Sequence, residues 1–462
     1  MYEYDLLCIG FGPASLALAV ALCDRSSSAK VCFLERQPRF AWHAGMQLSG
    51  AKMQISFLKD LATPRNPQSH FTFLHYLFCQ KRLHHFINLD TFTPSRLEYE
   101  DYLRWCAGHF AEHVAYGQDV LSVDPDGHEG SGHEGAGHET ADQRHDETDR
   151  HDHHPERTGS AKPKVTRFQV ISRDVVSGEF TTRVARHVVI AVGGRGRIPA
   201  ELPPTHPRVV HSSRYVQQVA TALPSPAAAY HVAVVGSGQS AAEIFNDLPT
   251  RYPHARKLYM QRVQREDPDG WPLRIQTRRR VAKVIEREGK LVLRLERVRE
   301  GKGEGGGEKA EKEEEEKEEE KEEKKEKKEK KREKNRRERE ARREEEKEQQ
   351  QQEEEELAVD AVFVATGYEQ TAYEDLLLNT RALLTAQDRH DGQTVFPVRR
   401  DYKIAFDESK VAANTGIWLQ GCNEKTHGLS DTLLSILAVR AGELVQSIFG
   451  TEAAQPSLRA KL

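Results

Sequence analysis

Tyr4-Asp5-Leu6-Leu7-Cys8-Ile9-Gly10-Phe11-Gly12-Pro13-Ala14-Ser15 is the stretch that decides the fold. An apolar run of strand length ends in two glycines, and a helix rich in Ala and Leu follows from Pro13 to Leu22. Gly10 permits the tight turn. Gly12 lets the backbone approach a pyrophosphate. Ser15 takes the third position, where a small side chain allows the helix to pack closely on the strand. The N-terminus of the helix, with Pro13 pre-set for its first turn, faces the phosphates. A second apolar run, Lys30 to Leu34, closes on Glu35, an acid placed to accept hydrogen bonds from a ribose. Strand, glycine turn, helix, strand and acid agree on a dinucleotide-binding unit.

The pattern recurs further along the chain. His231 to Val235 is an apolar run followed by Gly236-Ser237-Gly238-Gln239-Ser240-Ala241. Two such loops far apart predict an α/β protein with two Rossmann-like dinucleotide-binding domains. We expect a flavin on the first loop and a nicotinamide on the second. Further strands are predicted at Phe168–Ser172, His187–Val192 and Leu357–Val364, the last ending in Ala365-Thr366-Gly367. Phe57–Arg82 and Glu98–Phe110 read as mostly helical, and Leu429–Phe449 as one long helix. The expected division is 1–200 for the first part of the FAD domain, 201–379 for the NADP domain, and 380–462 for the rest of the FAD domain with a substrate-site helix.

Two segments cannot belong to a core. Asp126 to Lys162 is rich in His, Gly, Glu and Asp, and Arg299 to Glu356 is a Glu/Lys/Arg tract. Neither carries enough apolar surface to offset its ordering entropy. We read the first as a disordered loop without fixed metal-ligand geometry, so no metal site is expected. The second is either an isolated charged helix or disordered.

Composition excludes several classes. The 462-residue chain has a net charge of −4, which gives no basis for nucleic-acid binding. The six cysteines form no CxxC pair, so a redox disulfide beside a flavin is not expected, and a reducing compartment is. The apolar stretch Leu6–Leu22 is broken by Gly10, Gly12 and Pro13, so it reads as neither a signal peptide nor a membrane span. A cytoplasmic protein is expected. The alternative is peroxisomal, since Ala460-Lys461-Leu462 is a near match to a peroxisomal address.

Longer strings carry a specific resemblance. They are Phe33-Leu34-Glu35-Arg36-Gln37-Pro38, Trp42-His43 and the run Gly50-Ala51-Lys52-Met53-Gln54-Ile55-Ser56-Phe57-Leu58-Lys59-Asp60, continuing to Pro67. With them go Phe71-Thr72-Phe73-Leu74, Gly236 to Glu243, Ala365 to Tyr368, and Thr426-His427-Gly428-Leu429-Ser430-Asp431-Thr432-Leu433-Leu434-Ser435, continuing to Arg440. Together they resemble the N-hydroxylating flavin monooxygenases, and within them the fungal L-ornithine N5-monooxygenases of siderophore synthesis. The lysine N6-hydroxylases are the neighbouring alternative.

The resemblance implies FAD, NADPH, dioxygen and L-ornithine, a C4a-hydroperoxyflavin, and N5-hydroxyornithine as product. It implies a homo-oligomer. By matching positions, Glu35, Arg36, Gln37, Pro38, Arg39, Phe40, Ala41, Trp42 and His43 should line the FAD together with Gly10, Gly12, Pro13 and Ser15. Val120 should contact its adenine end, and Thr432, Leu433 and Leu434 the flavin. Gln54 should sit between flavin and nicotinamide. Ser237, Gly238, Gln239 and Ser240 should hold the NADP phosphates. Lys59 should pair with the substrate carboxylate, with Ser435 near the substrate.

The chain departs from this pattern once. The family carries a segment bearing substrate-site asparagines after the second glycine-loop helix; here Arg256 runs straight into Lys257. This would remove part of the substrate pocket and favours, as an alternative, an uncoupled or non-catalytic flavoprotein. Lys257–Val263 is then expected to fold as the next strand, placing Arg262 as the NADP-binding arginine.

Overall fold

The structure, a computed structural model, describes residues 2–126, 163–261, 273–277, 279–297, 355–385 and 396–450. They fall into two compact units. One comprises Met1–Trp42, Ser49–Arg195 and Glu369–Leu462; the other comprises His43–Leu48 and Gly196–Tyr368.

The first unit is built on strands β1 (Tyr2–Ile9), β2 (Val31–Glu35), β3 (Val114–Tyr116), β4 (Gln118–Pro125), β5 (Phe168–Asp174) and β6 (Phe180–Ile190). Their order is β3-β2-β1-β6-β5-β4, and the late strand Gly416–Leu419 also pairs with β6. β1 runs parallel to β2 in the register Leu6↔Val31 to Ile9↔Leu34. Leu6, Leu7, Cys8 and Ile9 are all buried, as consecutive residues are when both faces of a parallel sheet are covered. β6 serves two partners along one edge: its first half pairs antiparallel with β5, its second half parallel with Gly416–Leu419.

Helix α1 (Pro13–Asp24) is buried from Ser15 to Leu22. A helix apolar all round must be covered on more than one side. Here the sheet, the helix Leu437–Phe449 and α4 (Arg96–Gly108) cover it. α4 starts at Ser95, whose hydroxyl accepts the Glu98 N–H at 3.1 Å.

Two helical expectations for this unit are corrected. Within Phe57–Arg82 only α2 (Phe73–Cys79) is helical, and α3 (Leu83–Asn88) follows. Pro64 and Pro67 cannot continue a helix, and Asp60 draws the backbone into turns: Oδ1 accepts Ala62 N–H (2.9 Å) and Thr63 N–H (2.6 Å), while Oδ2 accepts Phe73 N–H (2.7 Å). Leu429–Phe449 is not one helix either. Leu429–Thr432 and Leu434–Ile436 are separate 3₁₀ turns, and the α-helix starts at Leu437.

The second unit contains β7 (Val209–His211), β8 (His231–Val235), β9 (Arg256–Gln261), β10 (Leu273–Thr277), β11 (Arg279–Arg287), β12 (Lys290–Arg297), β13 (Glu355–Val359) and β14 (Ala361–Val364). The parallel sheet has the order β10-β9-β8-β14-β7, and β11-β12-β13 form an antiparallel sheet. α5 (Tyr215–Ala222) and α6 (Gln239–Arg251) lie between strands in sequence. The stretch following Arg256 does fold as the strand beside β8, in the register Arg256↔His231 to Met260↔Val235.

Leu357–Val364, expected as one strand, is divided at Asp360. The Asp360 carboxylate accepts His231 N–H (2.8 Å) and its own N–H donates to the His231 carbonyl (2.7 Å), which turns the chain from the antiparallel sheet into the parallel one. The His-rich segment lies between the antiparallel partners β4 and β5, and the charged tract between β12 and β13. Their interiors, like Ala460-Lys461-Leu462, lie outside the described residues; Glu355 and Glu356, read as the end of the tract, already belong to β13.

Candidate functional site

In the first loop the two glycines differ. Gly10 has φ +88°, and a Cβ there would lie 2.5 Å from the Ala191 carbonyl oxygen. Gly12 has φ −85° and ψ −170°, which any residue adopts, and a Cβ there would meet nothing within 4 Å. So Gly10 is demanded by the fold, whereas Gly12 opens a space. α1 starts at that space with Pro13 in its first turn, no side-chain cap and no acid in the first turn. Its uncapped N–H groups and dipole suit an anion. The Ser15 hydroxyl is fully buried and has no hydrogen-bond partner among the described residues.

Glu35 ends β2 with its carboxylate fixed. Oε2 accepts Phe11 N–H at 2.7 Å and Oε1 accepts Gln37 N–H at 2.9 Å. A carboxylate has about four acceptor positions, so two remain for ribose hydroxyls. Phe11 packs against Phe33 (4.9 Å between centroids) and Phe40 (6.1 Å). Burial, and after it the Glu35 charge, push the Tyr116 hydroxyl up.

Arg36, Gln37, Pro38 and Arg39 follow as an exposed turn, Phe40 and Trp42 are buried, and Ala41 is half-buried. Trp42 meets Tyr99 edge-on at 6.0 Å. The Glu35–His43 run is divided: the first segment of the first unit stops at Trp42, and His43 begins a segment of the other, with φ +45° and its ring 5.9 Å from Tyr368. Val120 is half-buried on β4 against the core cluster that contains Ile9 and Leu34.

Gln54 and Lys59 are exposed on the irregular segment before α2. Lys59 forms no ion pair among the described residues, while its carbonyl accepts the Tyr99 hydroxyl at 3.3 Å. Thr432, Leu434 and Ser435 lie on the two 3₁₀ turns, with Leu433 between them, and none lies on the helix. Leu433 is extended and exposed; Ser435 is half-buried.

Sequence reading missed what fixes those turns. Asp431 and Arg440 are buried and paired: Arg440 Nη1 donates to Asp431 Oδ1 at 3.1 Å and to its carbonyl, and Asp431 Oδ2 accepts Asn423 N–H at 2.7 Å. Burial lowers the Arg440 pKa, with Asp431 opposing. Burial, then Asp431, push the Cys422 thiol up to about 12, so it stays protonated and unreactive. Gln420, also missed, donates from Nε2 to the Ala14 carbonyl at 3.2 Å, bracing the start of α1.

The second loop repeats the division of labour. Gly236 has φ +147°, and a Cβ would lie 2.3 Å from the Ala365 carbonyl oxygen. Gly238 has φ −91° and ψ −179°, with nothing within 4 Å of a Cβ. Ser237, Gly238 and Gln239 are exposed and Ser240 half-buried at the uncapped start of α6. Gln239 Nε2 donates to Glu243 at 2.8 Å. β9 ends at Gln261, and Arg262 lies outside the described residues. His211, not picked out from sequence, braces the Ala365–Gly367 strand end. Its Nε2 must carry the proton, because the Gly367 carbonyl 3.0 Å away can only accept; Nδ1 accepts from Ser213.

Among the described residues no group of three or more His, Cys, Asp or Glu could hold a metal ion, and no helix is long and apolar enough to cross a membrane.

Two units, each with a glycine turn leading from a parallel strand into an uncapped helix, define a protein of the two-dinucleotide class. The model of the L-lysine 6-monooxygenase/L-ornithine 5-monooxygenase family matches residues 2–155 and 156–269, and the chain belongs to that family. It is 41% identical to an L-ornithine N(5)-monooxygenase of Aspergillus oryzae over 97% of this chain and 89% of that one. It is 40% identical to the Emericella nidulans protein of that name over 99% and 92%. Among solved structures, an ornithine N-hydroxylase of Kutzneria sp. 744, in a form with reduced FAD, NADP⁺ and L-ornithine, matches with TM-score 0.70 and 26% identity over 96% of this chain and 99% of that one. The ornithine hydroxylase of Pseudomonas aeruginosa matches with TM-score 0.68 and 26% identity over 96% and 98%.

Proposed function

We propose that the chain hydroxylates the side-chain amine of L-ornithine to N5-hydroxyornithine, using FAD, NADPH and dioxygen, as the first step towards a hydroxamate siderophore. Bound FAD, reduced by NADPH, supplies the oxygen-transfer chemistry. The chain's own residues bind, orient and exclude water.

FAD is assigned to the first loop. The open space at Gly12, the Ser15 hydroxyl without a partner among the described residues and the pre-fixed Glu35 carboxylate suit a pyrophosphate and a ribose. Arg36 to His43, Val120 and Thr432 to Leu434 are proposed to line the remainder, with Gln54 as a further cofactor contact. NADP is assigned to Ser237, Gly238, Gln239 and Ser240, with Arg262 as a further phosphate partner.

The observation that carries the substrate reading is Lys59, an exposed cation with no ion pair among the described residues and on a fixed backbone, in a chain 41% identical to an L-ornithine N(5)-monooxygenase. We assign it to the substrate carboxylate, and Ser435 to the substrate's polar atoms. Assembly as a homo-oligomer is part of the proposal; exposed Phe78, Ile87, Leu89 and Phe92 offer apolar surface for it.

Steady-state assays with ornithine, lysine and cadaverine test the reading. Hydroxylated product from ornithine at the highest kcat/KM is expected, and cadaverine, which lacks the carboxylate, should be the poorest. Lys59→Ala should raise the ornithine KM by about tenfold or more, the loss of one charge-assisted contact. Preference for lysine, or a Lys59→Ala enzyme with unchanged KM, would overturn the assignment.

A further inference from the structure

Lys59 stands on a segment without regular structure, yet that segment is tied down at short intervals. Met53 N–H donates to the Pro94 carbonyl at 2.9 Å and Phe57 N–H to the Phe92 carbonyl at 2.8 Å. The Tyr99 hydroxyl donates to the Lys59 carbonyl at 3.3 Å. Leu61 N–H donates to the Tyr102 hydroxyl at 3.1 Å, and that hydroxyl donates to the Phe71 carbonyl at 2.7 Å. Residues 53–61 are thus laid along residues 92–102. Tyr99 and Tyr102 are three apart on α4 and share a face.

The Tyr99 hydroxyl has little freedom. The residue is 1% exposed, with its ring stacked on Phe73 at 6.0 Å and edge-on to Trp42 at 6.0 Å and Tyr102 at 5.5 Å. Asp60, next to Lys59, is held by the Ala62, Thr63 and Phe73 N–H groups and by the Thr63 hydroxyl at 2.8 Å. The lysine stem is flexible, so the reach of its ammonium is set by where the backbone starts.

We propose that Tyr99 is a positioning residue for the amino-acid substrate, its hydroxyl fixing the Lys59 backbone and so the point at which the ammonium meets a carboxylate. The inference rests on the substrate role proposed for Lys59. Tyr99→Phe isolates it, because that change keeps the ring in its aromatic setting and removes one oxygen.

The test is a double-mutant cycle of Tyr99→Phe and Lys59→Ala on the FAD-loaded enzyme. Ornithine KM and the rate of flavin reduction by NADPH without ornithine are both read. Tyr99→Phe is expected to raise the ornithine KM about three- to tenfold, the size of one net hydrogen bond. Flavin content and the reduction rate should stay within about twofold. In the Lys59→Ala background the same change should have no further effect on KM. An unchanged KM in Tyr99→Phe beside a raised KM in Lys59→Ala overturns this inference and leaves the Lys59 reading standing. So does an equal Tyr99→Phe effect in both backgrounds. An unchanged KM in Lys59→Ala overturns both.

Discussion

At the scale of single residues, the two glycines of each loop separate fold from ligand. Gly12→Ala places a methyl group in open space at an ordinary backbone conformation. The thermal midpoint of the flavin-free variant should therefore stay close to that of the flavin-free parent, while flavin absorbance in the purified protein falls towards zero. Gly10→Ala meets both a left-handed φ and the Ala191 carbonyl, so it should yield little folded protein. Equal behaviour of the two variants would contradict the assignment. Gly238→Ala, in the other unit, should raise the NADPH KM tenfold or more without changing flavin content, as read by titrating NADPH against the rate of flavin reduction. Glu35 offers a complementary test. Glu35→Gln would turn an amide N–H₂ towards Phe11 N–H or Gln37 N–H, donor against donor, and should cost about 1–3 kcal/mol together with flavin affinity.

At the scale of elements, the turns carrying Thr432 to Ser435 depend on the buried Asp431–Arg440 pair. Asp431→Asn leaves the Arg440 charge buried without its partner, and should cost about 3–5 kcal/mol in unfolding free energy, read by denaturant titration. The β6 residue His187 adds a pH dependence. Burial, helped by Arg186 and Lys403, lowers its pKa to about 4 from the ordinary 6.5. The folded chain keeps it neutral while the unfolded chain takes up a proton first, so its contribution is full above about pH 6.5 and is lost as pH falls towards 4. His187→Phe should flatten the thermal midpoint over that window. These elements also mark the limit of what the sequence disclosed. The strands and helices around the glycine loops were legible because apolar runs, Gly, Pro and Glu lie within a few residues of one another. The turns at 57–72 and 429–436 were not, because their determinants are tertiary. Asp60 reaches forward to Phe73 N–H, and Asp431 answers to Arg440 and Asn423, so locally helical residues are held as turns.

At the scale of the whole molecule, two dinucleotide units were legible from two glycine loops and their flanking strands, and the family from longer strings such as Gly50 to Pro67. The bridge between them was not. The expected FAD-lining run Glu35–His43 leaves one unit after Trp42, and no local pattern announces a crossover there. The passage from Arg256 into Lys257 is where the sequence departs from the family pattern it resembles. The sheet of the second unit is continuous across it, since β9 pairs with both β8 and β10, yet the polar segment expected at that point is absent. That absence favours uncoupled oxygen consumption, whereas the family, the glycine pairs and Lys59 favour coupled hydroxylation. Coupling decides between them. The direct measurement is the amount of N5-hydroxyornithine formed per NADPH oxidised by the FAD-loaded full chain at saturating ornithine, with hydrogen peroxide assayed in the same samples. A ratio close to one and NADPH oxidation that accelerates with ornithine are expected. Oxidation indifferent to ornithine, with hydrogen peroxide as the sole product, would contradict coupled hydroxylation.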